Sequence, residues 1–122
     1  MKSSTSLAGA ILVCGFATLF MAGCAQNPDV RDSHDYTSGT TAKSSPAYLG
    51  CVKGELPKNV KTYEVNGDNS VKLFIESNDP NTADGLVELR GTGTRQQFTA
   101  YQRAAWYDHG RLLDAALMCS KA

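Results

Sequence analysis

The chain has 122 residues with 12 basic and 12 acidic side chains, a length that accommodates one domain with one small core. Only Lys2 among the basic residues precedes Cys24, so the chain from Cys24 onward carries a formal charge of 11 − 12 = −1. No basic face is clustered along it, which speaks against a nucleic-acid partner and against electrostatic capture by an anionic membrane surface.

Residues 1–6, Met-Lys-Ser-Ser-Thr-Ser, are polar and singly basic, and a mostly apolar run follows from Leu7 to Ala22. Together they read as the n-region and h-region of a secretory signal. The run is about 16 residues long, short of the roughly 20 that span a bilayer as a helix. It ends in small residues rather than in a basic stop-transfer cluster.

The run leads into Met21-Ala22-Gly23-Cys24. This tetrad resembles the lipobox of bacterial lipoproteins, in which an aliphatic residue and two small residues precede the modified cysteine; Met21 stands where leucine is usual. The resemblance implies removal of residues 1–23, lipidation of Cys24 by diacylglycerol and a further acyl chain such as palmitate, and attachment to the membrane through that anchor. By the same resemblance Ala25, which is not aspartate, implies the inner leaflet of the outer membrane, facing the periplasm. Cys14 would be discarded with the signal peptide.

From Ala25 to Ser45 the chain is rich in Ser, Thr, Asp, Asn and Gly. Such a composition buries little apolar area against its ordering entropy, so residues 24–45 read as an acylated cysteine and flexible tether, with an r.m.s. reach of roughly 25 Å. His34 and Asp35 fall in that stretch and read as tether residues without fixed metal or acid–base partners. The folded domain is expected over 46–122.

Within it, Pro46 to Val52 reads as a short helix or an extended segment, the helix being preferred because proline suits a first turn. Val60–Val65 and Val71–Glu76 are β-branched and partly alternating around Asn66-Gly67-Asp68-Asn69, the pattern of a β-hairpin. Val71, Leu73 and Ile75 share one face, and Lys72, Phe74 and Glu76 the other. Leu86–Arg90 reads as a third strand, Gly91-Thr92-Gly93-Thr94 as a turn, and Gln96–Tyr101 as a fourth. Beyond Trp106 the spacing of Leu113, Ala116 and Leu117 predicts a C-terminal helix with Asp108 as its N-cap. The expected fold is α+β: a small antiparallel sheet of about four strands with a C-terminal and a short N-terminal helix.

With Cys14 removed and Cys24 acylated, Cys51 and Cys119 remain, and a pair in an oxidising compartment reads as a disulfide. It would close a loop of about 69 residues, worth roughly 4 kcal/mol in the chain-entropy account. Two distant cysteines and two histidines lack the local spacing of a zinc site, and no base is placed beside either thiol by sequence.

The densest set of chemically capable side chains is Tyr101, Arg103, Trp106, Tyr107, Asp108, His109 and Arg111. Neighbouring residues on a helix point about 100° apart, so Asp108 and His109 do not form an oriented dyad by adjacency. Capping and a surface histidine explain them, and no catalytic residue, cofactor or metal is assigned. Tyr101, Arg103, Trp106, Tyr107 and Arg111 are the side-chain types that anchor interfaces, and they form the candidate binding patch, although Trp106 and Tyr107 would serve equally as core.

The expected function is therefore that of a non-enzymatic binding or structural module of the envelope, its partner an envelope protein or peptidoglycan. A second reading is a protective inhibitor of a hydrolase or toxin. The segment from Trp106 to Cys119 is faintly similar to the end of lysozyme-inhibitor lipoproteins in its order of Trp, Gly and Cys; that resemblance implies a β-barrel, for which this chain is short of strands. A small periplasmic enzyme using Asp108 or His109 is the remaining reading.

Overall fold

The computed structural model describes residues 28–91 and 94–121. The expected signal peptide, the lipobox-like tetrad and Cys24 lie outside them, as do Thr92 and Gly93 of the expected Gly91–Thr94 turn. The fold is α+β: five antiparallel strands with two helices on one face. In chain order these are β1 (Asp35–Thr41), α1 (Ser45–Glu55), β2 (Thr62–Gly67), β3 (Ser70–Ile75), β4 (Gly85–Arg90), β5 (Gln96–Gln102) and α2 (Arg111–Ser120). Short 3-10 turns at Val30–Asp32 and Ala105–Tyr107 precede β1 and α2. Among the described residues no helix is long and apolar enough to cross a membrane.

Strand order across the sheet is β1-β5-β4-β3-β2. Strands β2 to β5 form a meander, whereas β1 pairs with β5 at the opposite edge, and α1 carries the chain from one edge to the other. β1 and β2 are the two edges, so the sheet is open and not the barrel implied by the inhibitor resemblance.

The expected tether is corrected from Pro28 onward. Val30 is fully buried, its amide donates to the Pro80 carbonyl at 2.8 Å, and Asp35 to Thr41 pair residue by residue with Gln102 to Gln96. Composition misleads here because an edge strand is held by backbone hydrogen bonds and needs few large apolar side chains. Gly39 lies over the Phe98 ring, where a Cβ would sit 2.9 Å from Cε1, and Thr41 is buried at the strand's end. The fifth strand comes from this segment.

α1 forms as the proline suggested: the Ser44 hydroxyl accepts from the Ala47 amide, with Pro46 in the first turn, where a missing N–H is harmless. Its Tyr48, Leu49 and Val52 join Leu112, Ala115, Ala116 and Cys119 of α2 over Leu73, Ile75, Val87, Leu89, Phe98 and Ala100 of the sheet. The Tyr48 hydroxyl donates to the Ala116 carbonyl at 2.7 Å, tying the helices together. The Cys51–Cys119 disulfide joins the same two helices, with Cα atoms 5.8 Å apart.

The alternation in β3 holds: Leu73 and Ile75 face the helices, while Phe74 joins Val30, Ala83, Leu86 and Tyr101 in a second cluster on the reverse face. The hairpin turn is tighter than its polar stretch suggested, because Gly67 and Ser70 pair and leave only Asp68 and Asn69 to turn. Asn69 supplies the left-handed conformation, at φ 56°.

Candidate functional site

Helix α2 and the end of β5 meet at a corner that creates the site. After Gln102 the chain turns sharply: Ala104 is left-handed at φ 48°, and His109 and Gly110 repeat that conformation at φ 59° and 72°. Between them the 3-10 turn Ala105–Tyr107 buries Ala105 and projects Trp106 and Tyr107 outward. These rings are 78% and 80% exposed, which settles their position as surface rather than core. They contact each other edge to face, centroids 5.9 Å apart.

Asp108 serves the start of α2 from three residues before it. The N-cap is Gly110, not Asp108. The Asp108 Oδ1 accepts from the Gly110 and Arg111 amides at 3.1 and 3.3 Å and from Gln102 Nε2 at 2.7 Å. Gln102 Oε1 in turn accepts from the amides of Leu112 and Leu113 at 3.1 and 3.4 Å. A buried β5 amide side chain thus caps the helix jointly with Asp108, which satisfies donors that the first turn leaves unpaired. Gln102 was not singled out in the sequence, since a cap from a strand has no local signature.

Arg103 is also structural in its contacts. Its Nε donates to the Ala83 carbonyl at 2.7 Å, and one terminal nitrogen donates to the carbonyls of Pro80, at 2.9 Å, and Pro28. Tyr101 lies on the reverse face beside Tyr36, centroids 6.4 Å apart, and burial pushes its phenol pKa upward. The five predicted patch residues are therefore divided: Tyr101 packs behind the sheet, Arg103 staples loops, and Trp106, Tyr107 and Arg111 face solvent.

Tyr107 and Arg111 border a groove of about 470 Å³ between the end of α1, the β3–β4 ends and the corner. Leu56, Pro57, Val60, Ile75 and Leu112 supply its apolar surface, with Glu76, Asp84 and Asp108 among its acidic residues. Gly85 lets Leu112 approach the sheet, because a Cβ there would lie within van der Waals overlap of the leucine. Leu56 and Pro57 carried no sequence signal, and Val60, expected to open the first hairpin strand, lies before β2 and lines the groove instead, a role that arises only where α1 ends beside β3.

Trp106 faces a different recess, of about 380 Å³, lined also by Pro28, His34, Asp35 and Arg103. His34 and Asp35 are thus placed in the ordered domain rather than in a tether. His109 lines a third recess with Glu55, Asp114 and Met118. Among the described residues no group of three or more His, Cys, Asp or Glu side chains is placed to hold a metal ion. Cys51 and Cys119 are joined to each other and offer neither thiolate nucleophile nor ligand.

Electrostatic organisation is concentrated on the reverse face. The Arg31 guanidinium donates to Asp29 through Nε and a terminal nitrogen at 3.0 and 2.8 Å. These hydrogen bonds hold the Asp29 carboxyl down at about 2. Arg31 also lies 3.8 Å from the buried Glu88 carboxylate, which Arg90 approaches at 3.1 Å. Comparison with known proteins gives no match to a family model, a curated protein or a solved structure.

Proposed function

We propose that this chain is a lipid-anchored lipoprotein of the bacterial envelope whose disulfide-bonded domain binds a partner non-enzymatically through the groove at the end of α1. The anchor reading rests on the lipobox-like Met21-Ala22-Gly23-Cys24. The single observation that carries the binding reading is the groove itself, an open apolar trough with the exposed Tyr107 and Arg111 at its border. A concave apolar surface with a few polar groups suits an extended peptide: alkyl side chains bury along Leu56, Val60 and Leu112, while Arg111 and Tyr107 meet carbonyls or a carboxylate. An envelope protein segment or the peptide of peptidoglycan has that chemistry. Asp108, the nearest carboxylate to His109 in sequence, is engaged by the cap of α2, which favours binding over acid–base catalysis.

A photo-crosslinking amino acid in place of Tyr107 tests this in living cells, with the same group at Asp68 in the β2–β3 turn as control. A dominant protein or peptidoglycan adduct from position 107 that is missing from position 68 is the expected result. Equal or negligible adducts from the two positions contradict the groove as the binding surface.

A further inference from the structure

The corner that bears Trp106 lies beside the point where the described chain begins. Trp106 and Pro28 line one recess, and the guanidinium of Arg103, three residues before Trp106, holds the Pro28 carbonyl. Pro28 is therefore fixed to the domain at that corner and does not trail away from it.

The proposal that follows rests on acylation of Cys24. From Cys24 to Pro28 is 28 − 24 = 4 residues, which span at most about 14 Å even when fully extended. A bilayer of about 30 Å hydrocarbon thickness reaches 40–45 Å with its interfacial layers, so each such layer is roughly 5–7 Å deep. The acyl chains occupy the hydrocarbon, so the Pro28 corner has no means of standing far off the headgroups. The large hydrophobic side chains exposed beside it are the indole of Trp106 and the neighbouring phenol of Tyr107.

We propose that the Trp106–Tyr107 corner is a membrane-contact site, seated in the headgroup layer of the bilayer to which Cys24 is anchored. Trp and Tyr favour this layer because each presents an apolar ring and a polar N–H or O–H to a region that is apolar on one side and wet on the other. Exposing both rings to water would leave that apolar area unburied; the headgroup layer removes the penalty without a protein partner. Asp32 and Asp35 share the recess with Arg103, so the contact draws on the rings rather than on net positive charge. One consequence reaches the groove: Tyr107 borders it, so its open end lies close to the membrane, and a partner reaching it approaches along the surface.

Trp106 is the sole tryptophan of the chain, and its fluorescence is a direct probe. The full chain, purified from membranes and reconstituted into phosphatidylethanolamine–phosphatidylglycerol vesicles, is read with and without lipid brominated near the glycerol end of the acyl chains. Mass spectrometry of the N-terminal peptide is run on the same sample. A second chain carrying Trp106→Phe and Asp68→Trp moves the probe to the opposite end of the sheet. The expected result is an acylated Cys24, blue-shifted emission from Trp106 with a large loss in brominated lipid, and little loss from the probe at position 68. An acylated chain whose Trp106 emission is unaffected by bromine, or whose two probes are quenched alike, overturns the membrane contact while leaving the anchor intact. An unacylated Cys24 overturns the anchor and the contact with it.

Discussion

Arg103 converts the end of β5 into a junction. Three backbone carbonyls from Pro28, Pro80 and Ala83 converge on one guanidinium, a demand that a planar fork of donors meets better than an ammonium. Hydrogen bonds to a charged donor contribute about 1.5–3 kcal/mol each, with the net reduced by shared solvent access. Arg103→Met is expected to lower unfolding free energy by about 2–3 kcal/mol in urea titration, and Arg103→Lys to recover only part of it. A loss below the usual surface range of about 0.5 kcal/mol would show that the junction is not cooperative with folding.

Titration distinguishes two further residues. The Asp29 carboxyl is depressed by Arg31 to about 2 from its ordinary 3.8, so its contribution is present above the unfolded value and is lost as pH falls from about 4.5 toward 2. The pair is partly open to solvent, and screening limits the contribution to about 1 kcal/mol. Asp29→Asn should flatten that part of the acid limb in stability measured against pH. Tyr48 shifts the opposite way: burial raises its phenol pKa, so the native state resists ionisation that the unfolded chain undergoes near pH 10. Stability should therefore fall as pH rises above about 10, and Tyr48→Phe should make that fall shallower, leaving the part due to Tyr101. The same change deletes the bond to Ala116 and is expected to cost about 1 kcal/mol at neutral pH.

At the scale of elements, the cap of α2 shows how β5 and the helix specify each other. Gln102→Ala would leave the first-turn amides of Leu112 and Leu113 without their acceptor and free Asp108 from its donor. A loss of about 1–2 kcal/mol is expected, with faster amide exchange confined first to the start of α2. Uniform acceleration across the sheet would instead mean that the cap and the global fold open together. The disulfide acts on both helices at once. Its reduction is expected to lower stability by roughly 4 kcal/mol through the unfolded chain it constrains, checked by denaturation with and without reductant.

These elements also mark what the sequence makes legible. Strands β3 and β5, the hairpin and α2 carry alternation or helical spacing toward the main core, and β4, buried on both faces, reads as a short apolar run. Cys51 and Cys119 are readable by subtraction, since no other cysteine follows Cys24. β1 is not readable: Asp-Tyr-Thr-Ser-Gly-Thr-Thr is polar enough for a tether, and only pairing with β5 gives it a place. The groove is illegible for a related reason. Tyr107 and Arg111 announce themselves by type, whereas Leu56, Pro57 and Val60 become a surface only when α1 ends beside β3. Arg103, by contrast, is conspicuous by type and turns out to serve the backbone.

For the whole molecule, ordering of residues 28–45 changes how the domain would sit under the proposed anchor. A flexible segment through Ser45 would let it roam roughly 25 Å from its anchor, but β1 is the sheet's own edge and Pro28 is fastened at the corner by Arg103. If Cys24 is acylated as proposed, only residues 25–27 separate the anchor from the fastened Pro28, and the proposal then makes the domain a membrane-proximal body with one face toward the lipid. Inserting a flexible Gly-Ser segment of about 20 residues between Cys24 and Pro28 should restore reach. It is expected to leave folding unchanged and to reduce the crosslink from position 107 if the partner is captured at the membrane surface.

The proposed membrane arrangement depends on what happens at Cys24. The most direct measurement is the intact mass of the N-terminal peptide from the chain isolated from bacterial membranes. The account predicts a mature chain beginning at Cys24 and bearing both a diacylglyceryl thioether and an amide-linked acyl group. A mature chain beginning at any other residue, or an unmodified Cys24, would contradict it.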